Sequence, residues 1–281
     1  MRRVRVAGVQ MDPKILEKEK NLSKCLEFLE TAAKKNAEII VFPECALTGY
    51  CFSSLEESFS VAESVFDPSS RAIASLCKEL NVYTIIGFLE RDGDKYYNSI
   101  ALIGPNGVIG TYRKLHLPFL GIDRFVNPGD QPLKVFETEV GRIGMNICFD
   151  IRIPESARVL TLLGAESIML PTNWPKGAEL VPKYVINARA YENRVNVIAV
   201  NRVGKERGFE FIGQSKIVDY SGKTLAEANS LKEEIIFATI DLDGARKKHV
   251  IIVPGEFELP LFEGRRPEFY GILVKAINTY R

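Results

Sequence analysis

Apolar and polar positions switch repeatedly between two periods along this chain, and the switching predicts alternating strands and helices. Val4–Met11 keeps the short repeat of a strand. Ile15–Ala33 changes to a helical period, with Leu22, Cys25, Leu26, Leu29 and Ala33 on one face. Glu38–Phe42 is a β-branched strand ending at Pro43-Glu44; Ser69–Leu80 reads as a serine-capped helix and Val82–Leu89 as a strand. Asn98–Ile103 and Val108–Arg113 flank Pro105-Asn106-Gly107, a hairpin turn. Strand-like Arg142–Ile147 runs into Cys148, and a polar turn then opens a helix at Pro154.

The second half repeats the order of the first. Arg142–Ile147 resembles Arg5–Val9, AESIMLP (165–171) resembles AEIIVFP (37–43), and Asn196–Asn201 corresponds to Val82–Phe88. Gly213–Val218 with the turn Tyr220–Lys223 corresponds to the earlier hairpin. Four elements in one order predict an α/β protein of two internally similar halves, each contributing a sheet. Two sheets packed face to face with helices outside give a four-layer α-β-β-α sandwich. No low-complexity tract or linker divides the sequence, so residues 1–281 are expected to form a single domain.

Composition narrows the function classes. Thirty-seven basic and 36 acidic residues leave a net charge of +1, with no basic stripe for nucleic acid or a membrane surface. No apolar run approaches the ~20 residues that span a bilayer. Met1-Arg2-Arg3 leads directly into a strand rather than a signal-peptide core, so the expected location is the cytoplasm. Five cysteines without a C-x-x-C argue against a disulfide framework or a cysteine-built zinc site, and two histidines against a histidine-rich metal centre.

Three strand ends carry chemistry: an acid at Glu44, an amine at Lys114 and a thiol at Cys148. Each alone has a plainer reading, as a solvated loop carboxylate, a surface lysine and a buried structural cysteine. Together they form a working set. A free thiol near pKa ~8.5 and a free Glu near ~4.3 make direct proton transfer uphill by about 6 kcal/mol. An ammonium ~4 Å from the thiolate offsets about 4 kcal/mol at an effective dielectric of ~20. Burial of the glutamate closes much of the remainder. The amine also serves a tetrahedral oxyanion, together with a backbone N–H near the thiol.

These segments resemble the carbon–nitrogen hydrolase (nitrilase) superfamily, in its amidase-like branch. The resemblance lies in VFPECALTGY (41–50), TYRKLHL (111–117) and NICFDIRIPE (146–155), and continues through LPTNWP (170–175), ARAYENRVNVIAVNRVG (188–204) and FIGQSKIVDYSG (211–222). It implies the four-layer sandwich, with Glu44 as general base, Lys114 stabilising the tetrahedral intermediate and Cys148 as nucleophile. It implies a thiol hydrolase that cleaves a small amide through an acyl-enzyme; the alternatives are a nitrilase working through a thioimidate and a catalytically silent scaffold. It also implies an oligomer built from dimers, with the helix bearing Tyr191, Glu192 and Arg194 at a subunit contact; residues 255–281, with Pro260, Arg265, Arg266 and Pro267 among apolar residues, are expected as an arm over a neighbouring subunit, making a homodimer the minimum unit. No metal or cofactor is called for, and the partner is a small-molecule amide.

Many members carry a second glutamate after the lysine. Here the loop LHLPFLGIDRFVNPGD (115–130) offers only Asp123 and Asp130, so Asp123 is the candidate fourth acid; the alternative is a surface pair with Arg124. His116 is expected to fix the loop by a hydrogen bond, and Asp150, Arg152 and Glu155 to form a charge network. Tyr50, Phe149, Asn173 and Trp174 are expected near the strand ends as substrate-pocket residues, core packing being the other reading for Trp174.

Overall fold

The computed structural model describes residues 2–228 and 231–276, and two compact units divide it, one running to Arg246 and one beginning at Lys247. The first unit is an α/β fold with two mixed six-stranded sheets and flanking helices.

The first sheet holds β1 (Arg3–Gln10), β2 (Ile39–Val41), β3 (Tyr83–Asp92), β4 (Lys95–Gly104) and β5 (Gly107–Arg113) in sequence order. β1, β2 and β3 run parallel, and β3–β4–β5 continue as antiparallel hairpins. The second sheet repeats this pattern with β6 (Val135–Thr138), β7 (Gly141–Met145), β8 (Ser167–Thr172) and β9 (Asn196–Asn201), of which β7, β8 and β9 are parallel. A two-residue ribbon, β10 (Lys205–Glu206) with β11 (Phe209–Glu210), precedes the hairpin β12 (Lys216–Val218) and β13 (Thr224–Glu227) that completes this sheet. β14 (Glu234–Asp241) then returns to pair antiparallel with β1. The first sheet is therefore not built from the first half alone, because its outer strand comes from late in the sequence.

Alternation along the strands explains the packing. Val4 and Val6 of β1, with Ile39 and Val41 of β2, join Ile143, Met145 and Ile168 of the second sheet in one buried apolar cluster. The intervening Ala7, Val9 and Ile40 face the opposite way, onto α1 (Lys18–Ala33) and α2 (Pro68–Leu80), where Cys25, Leu29, Ile73 and Cys77 cover them. β2 is buried on both faces, which is why it reads as a continuous apolar run. The second sheet packs in the same cluster as Ala157 and Leu160 of α3 (Pro154–Leu162) and Ile186 and Ala190 of α4 (Ile186–Asn193). Each fully buried Val, Ile or Leu contributes about 1.5–3 kcal/mol. α5 (Leu242–Arg246) closes the unit.

Two boundaries move for local reasons. α1 begins at Lys18 rather than Ile15 because Leu16 takes a left-handed φ of +65°. α2 starts on Pro68, whose fixed φ suits a first helical turn, with Asp67 rather than a serine at the cap position. The second unit contains an antiparallel pair, β15 (His249–Val253) and β16 (Phe257–Pro260), followed by short 3-10 turns at Pro267–Phe269 and Gly271–Val274. Residues 277–281 of the expected arm lie outside the described residues.

Candidate active site

β2 hands the chain to a tight turn at Pro43-Glu44-Cys45, and β3 passes directly against it. A side chain at position 87 would fall 2.4 Å from the Cys45 nitrogen and 2.5 Å from the Pro43 carbonyl, so only Gly87 lets the strand approach this closely. Glu44 is fully buried there, and so is Lys114, the first residue beyond β5. Lys114 Nζ donates to Glu44 Oε1 at 2.6 Å and to Asp123 Oδ2 at 2.5 Å. Asp123 is buried against the amine rather than paired with Arg124 on the surface. The Arg124 guanidinium instead donates to the Gly121 and Phe52 carbonyls.

Asn98, which sequence reasoning did not single out, ties the two acids together. Its Nδ2 donates to Glu44 Oε1 at 2.7 Å and to Asp123 Oδ1 at 2.8 Å. The only signal for it was an amide at the head of Asn98–Ile103, whose last four residues are apolar. Glu44 Oε2 is buried and has no hydrogen-bond partner among the described residues.

Cys148 lies at the end of the strand segment that follows β7, in a left-handed conformation at φ +45°. A non-glycine residue held there costs on the order of 1–3 kcal/mol, and such strain clusters at functional sites. The thiol is buried with Trp174 in the inter-sheet cluster, and the Asn173 backbone N–H is directed at it. Burial pushes the Cys148 thiol up, and the Glu44 charge adds to this; Lys114 and the Asn173 N–H pull it down. The sulfur thus lies within the field of Glu44, Lys114 and Asp123 together.

Burial likewise raises Glu44, opposed by Lys114 and reinforced by Asp123. For Lys114, burial works against the charge, but Asp123 and Glu44 outweigh it and hold the ammonium well above its ordinary value. A carboxylate raised by burial, beside a lysine locked in its charged form, can accept a proton and stabilise a nearby anion.

Asp150 fastens the cysteine turn to the lysine segment. Its carboxylate accepts the Ile147 N–H at 2.9 Å and the Tyr112 hydroxyl at 2.8 Å through Oδ2. Through Oδ1 it accepts the His116 N–H at 3.1 Å and meets His116 Nδ1 at 2.7 Å. His116 therefore makes the loop-fixing bond expected of it. The partners of Asp150 are Tyr112 and His116, not Arg152 and Glu155, because the short turn after Cys148 points its carboxylate back toward β5.

Of the expected pocket residues, Tyr50 is fully buried and donates its hydroxyl to Asp123 Oδ2 at 2.8 Å. Asn173 is buried with its Nδ2 on the Glu44 carbonyl at 3.0 Å and its Oδ1 unpartnered among the described residues. Trp174 is buried with its indole N–H also unpartnered among the described residues, and Phe149 is half-buried. Among the described residues no group of three or more His, Cys, Asp or Glu side chains is arranged to hold a metal ion, and no helix is long and apolar enough to cross a membrane.

Comparison with known proteins gives consistent relatives. The profile of the carbon-nitrogen hydrolase family matches residues 5–249. A nitrilase of Pyrococcus abyssi is 40% identical over 271 residues, covering 95% of this chain and 99% of that protein. The N-carbamoylputrescine amidase of Arabidopsis thaliana is 33% identical over 276 residues, covering 90% of each. The crystal structure of a carbon-nitrogen hydrolase from Helicobacter pylori G27 is similar with a TM-score of 0.86 at 28% identity, covering 98% of this chain and 99% of that one.

Proposed function

This chain belongs to the carbon–nitrogen hydrolase family of the nitrilase superfamily, and within that family we propose that it is a thiol amidase acting on a small amide. The carrying observation is the unequal use of the two Glu44 oxygens. Oε1 is taken by Lys114 and Asn98, while buried Oε2 has no partner among the described residues and is left to handle a proton.

Glu44 takes the Cys148 proton, and the sulfur attacks the amide carbon. Lys114 and the Phe149 N–H stabilise the oxyanion. Glu44 then protonates the departing ammonia or amine, leaving a thioester on Cys148. Water activated by Glu44 hydrolyses the thioester and regenerates the thiol. Asp123 is the fourth acid, holding Lys114 charged and in place. Asn173 and Trp174, with their unpartnered polar atoms, and Phe149 line the acyl pocket, and Tyr50 borders it. No cofactor enters this scheme.

The same groups also serve a nitrile through a thioimidate, a second reading favoured by the 40% identity to the Pyrococcus abyssi nitrilase. Mass spectrometry after brief exposure to small amides should find an acyl group on Cys148, and Cys148→Ala should release no ammonia. Full turnover by Cys148→Ala defeats the scheme. A panel of amides, carbamoyl amines and nitriles separates the two readings, since turnover confined to nitriles excludes the amidase.

We read the α/β fold further as a four-layer α-β-β-α sandwich, supported by α1 and α2 on one sheet and α3 and α4 on the other. We also take the functional unit to be at least a homodimer. Tyr184 and Tyr191 are more than half exposed near α4, as are Phe269, Ile272, Leu273 and Val274 within residues 255–281. Apolar surface of this kind suits burial against a second copy.

A further inference from the structure

Glu206 is buried in the ribbon β10, far along the chain from the acid, amine and thiol. Its Oε1 accepts two consecutive backbone N–H groups, from Tyr50 at 2.9 Å and Cys51 at 2.7 Å. Its Oε2 accepts Arg202 Nη1 at 2.8 Å. Arg202 is itself 1% exposed and lies over the Phe211 ring. Its Nη2 donates to Asp12 Oδ1 at 2.9 Å and to the Pro13 carbonyl at 2.8 Å. Burying a guanidinium and a carboxylate is costly, and such a pair is weak evidence for stability alone. A fixed geometry is the other thing it provides.

What it fixes is Tyr50. The Tyr50 carbonyl accepts the Ile122 N–H at 2.8 Å. The ring lies against Gly121, where an added Cβ would fall 2.4 Å from Cε1 in a backbone already at φ +52°. The hydroxyl donates to Asp123 Oδ2, the oxygen that also receives Lys114. We propose that Glu206, clamped by Arg202, is a positioning residue for the acid–amine–thiol set, acting through Tyr50 on Asp123 and so on Lys114. This rests on the roles of Lys114 and Cys148 given above. If Tyr50 drifts, Asp123 loses a donor and no longer holds the ammonium where it offsets charge on the sulfur.

The test uses the full chain and needs no amide. Alkylation of Cys148 by 2-iodoethanol, which carries no amide, is followed by peptide mass spectrometry across a pH series, in wild type, Tyr50→Phe, Glu206→Gln and the double variant. Each single variant should slow Cys148 alkylation at pH 7 about tenfold, the scale of one well-placed hydrogen bond, and move the profile to higher pH. The double variant should be no slower than the slower single one, because both changes break one path. Glu206→Asp keeps the charge near Arg202 but draws back from the two N–H groups; it should slow alkylation similarly and replaces Glu206→Gln if that variant does not fold. An unchanged rate in Tyr50→Phe overturns the proposal whatever the Glu206 variants do. Multiplied effects in the double variant overturn it too, as does a general rise in alkylation at Cys45 and Cys51, which marks loosening rather than positioning. Absence of amide turnover in wild type sinks the amidase reading but leaves this comparison intact.

Discussion

Two carboxylates share one ammonium in this site, and the sharing is uneven in its consequences. Asp123 lies at 2.5 Å from Lys114 Nζ and Glu44 at 2.6 Å, so either acid alone would balance the amine. Burial raises Glu44 toward the thiol it must deprotonate, and against the pull of Lys114 the negative charge of Asp123 adds to that rise. Asp123→Asn removes that charge and leaves Lys114 to Glu44. Glu44 should then titrate lower, the acidic limb of the pH–rate profile should move down, and kcat should fall on the order of 10²-fold, as for an impaired general base. Initial rates against pH check this; an acidic limb that stays in place counts against the role. Glu44, Lys114 and Cys148 stood out in the sequence because each bears a reactive group where a strand gives way to a loop. Asn98 and Glu206 did not, since an isolated amide or acid carries no local mark of the distant groups it will bind.

At the scale of elements, the segment after β5 and the turn after β7 meet through His116 and Asp150. The hydrogen bond from His116 to Asp150 raises the imidazole, against a smaller opposing effect of burial. The sign follows from linkage. Below the ordinary imidazole value near ~6.5, folded and unfolded chains both carry the proton and the stabilisation is complete. As pH rises from there through the higher folded value, the unfolded chain loses its proton first and the stabilisation is withdrawn. Urea midpoints should therefore fall over that window in wild type, and His116→Gln should remove the fall; identical pH dependence in the two proteins refutes it. Strand and helix positions were readable to within a few residues because side-chain periods report burial. Their ends were not, as at Leu16, where one left-handed residue sets the start of α1.

For the whole molecule, the repeated order of apolar runs was enough to anticipate two sheets of one pattern. The return of β14 to β1 was not readable, because pairing between residues as distant as Arg3 and Asp241 is decided by tertiary packing. Subunit association belongs to this scale. Sedimentation of wild type should give at least a dimer, and Leu273→Asp with Val274→Asp should shift the mass toward monomer; a wild-type monomer rules out the assembly proposed here. A last consequence comes from Asp150, which accepts the backbone N–H of Ile147, beyond β7, and of His116, beyond β5. Neither amide can exchange its hydrogen with solvent until that carboxylate lets go, so deuterium should enter at both with one opening free energy. The lysine segment and the cysteine turn would then breathe as one cooperative unit, losing and regaining their native arrangement in the same event.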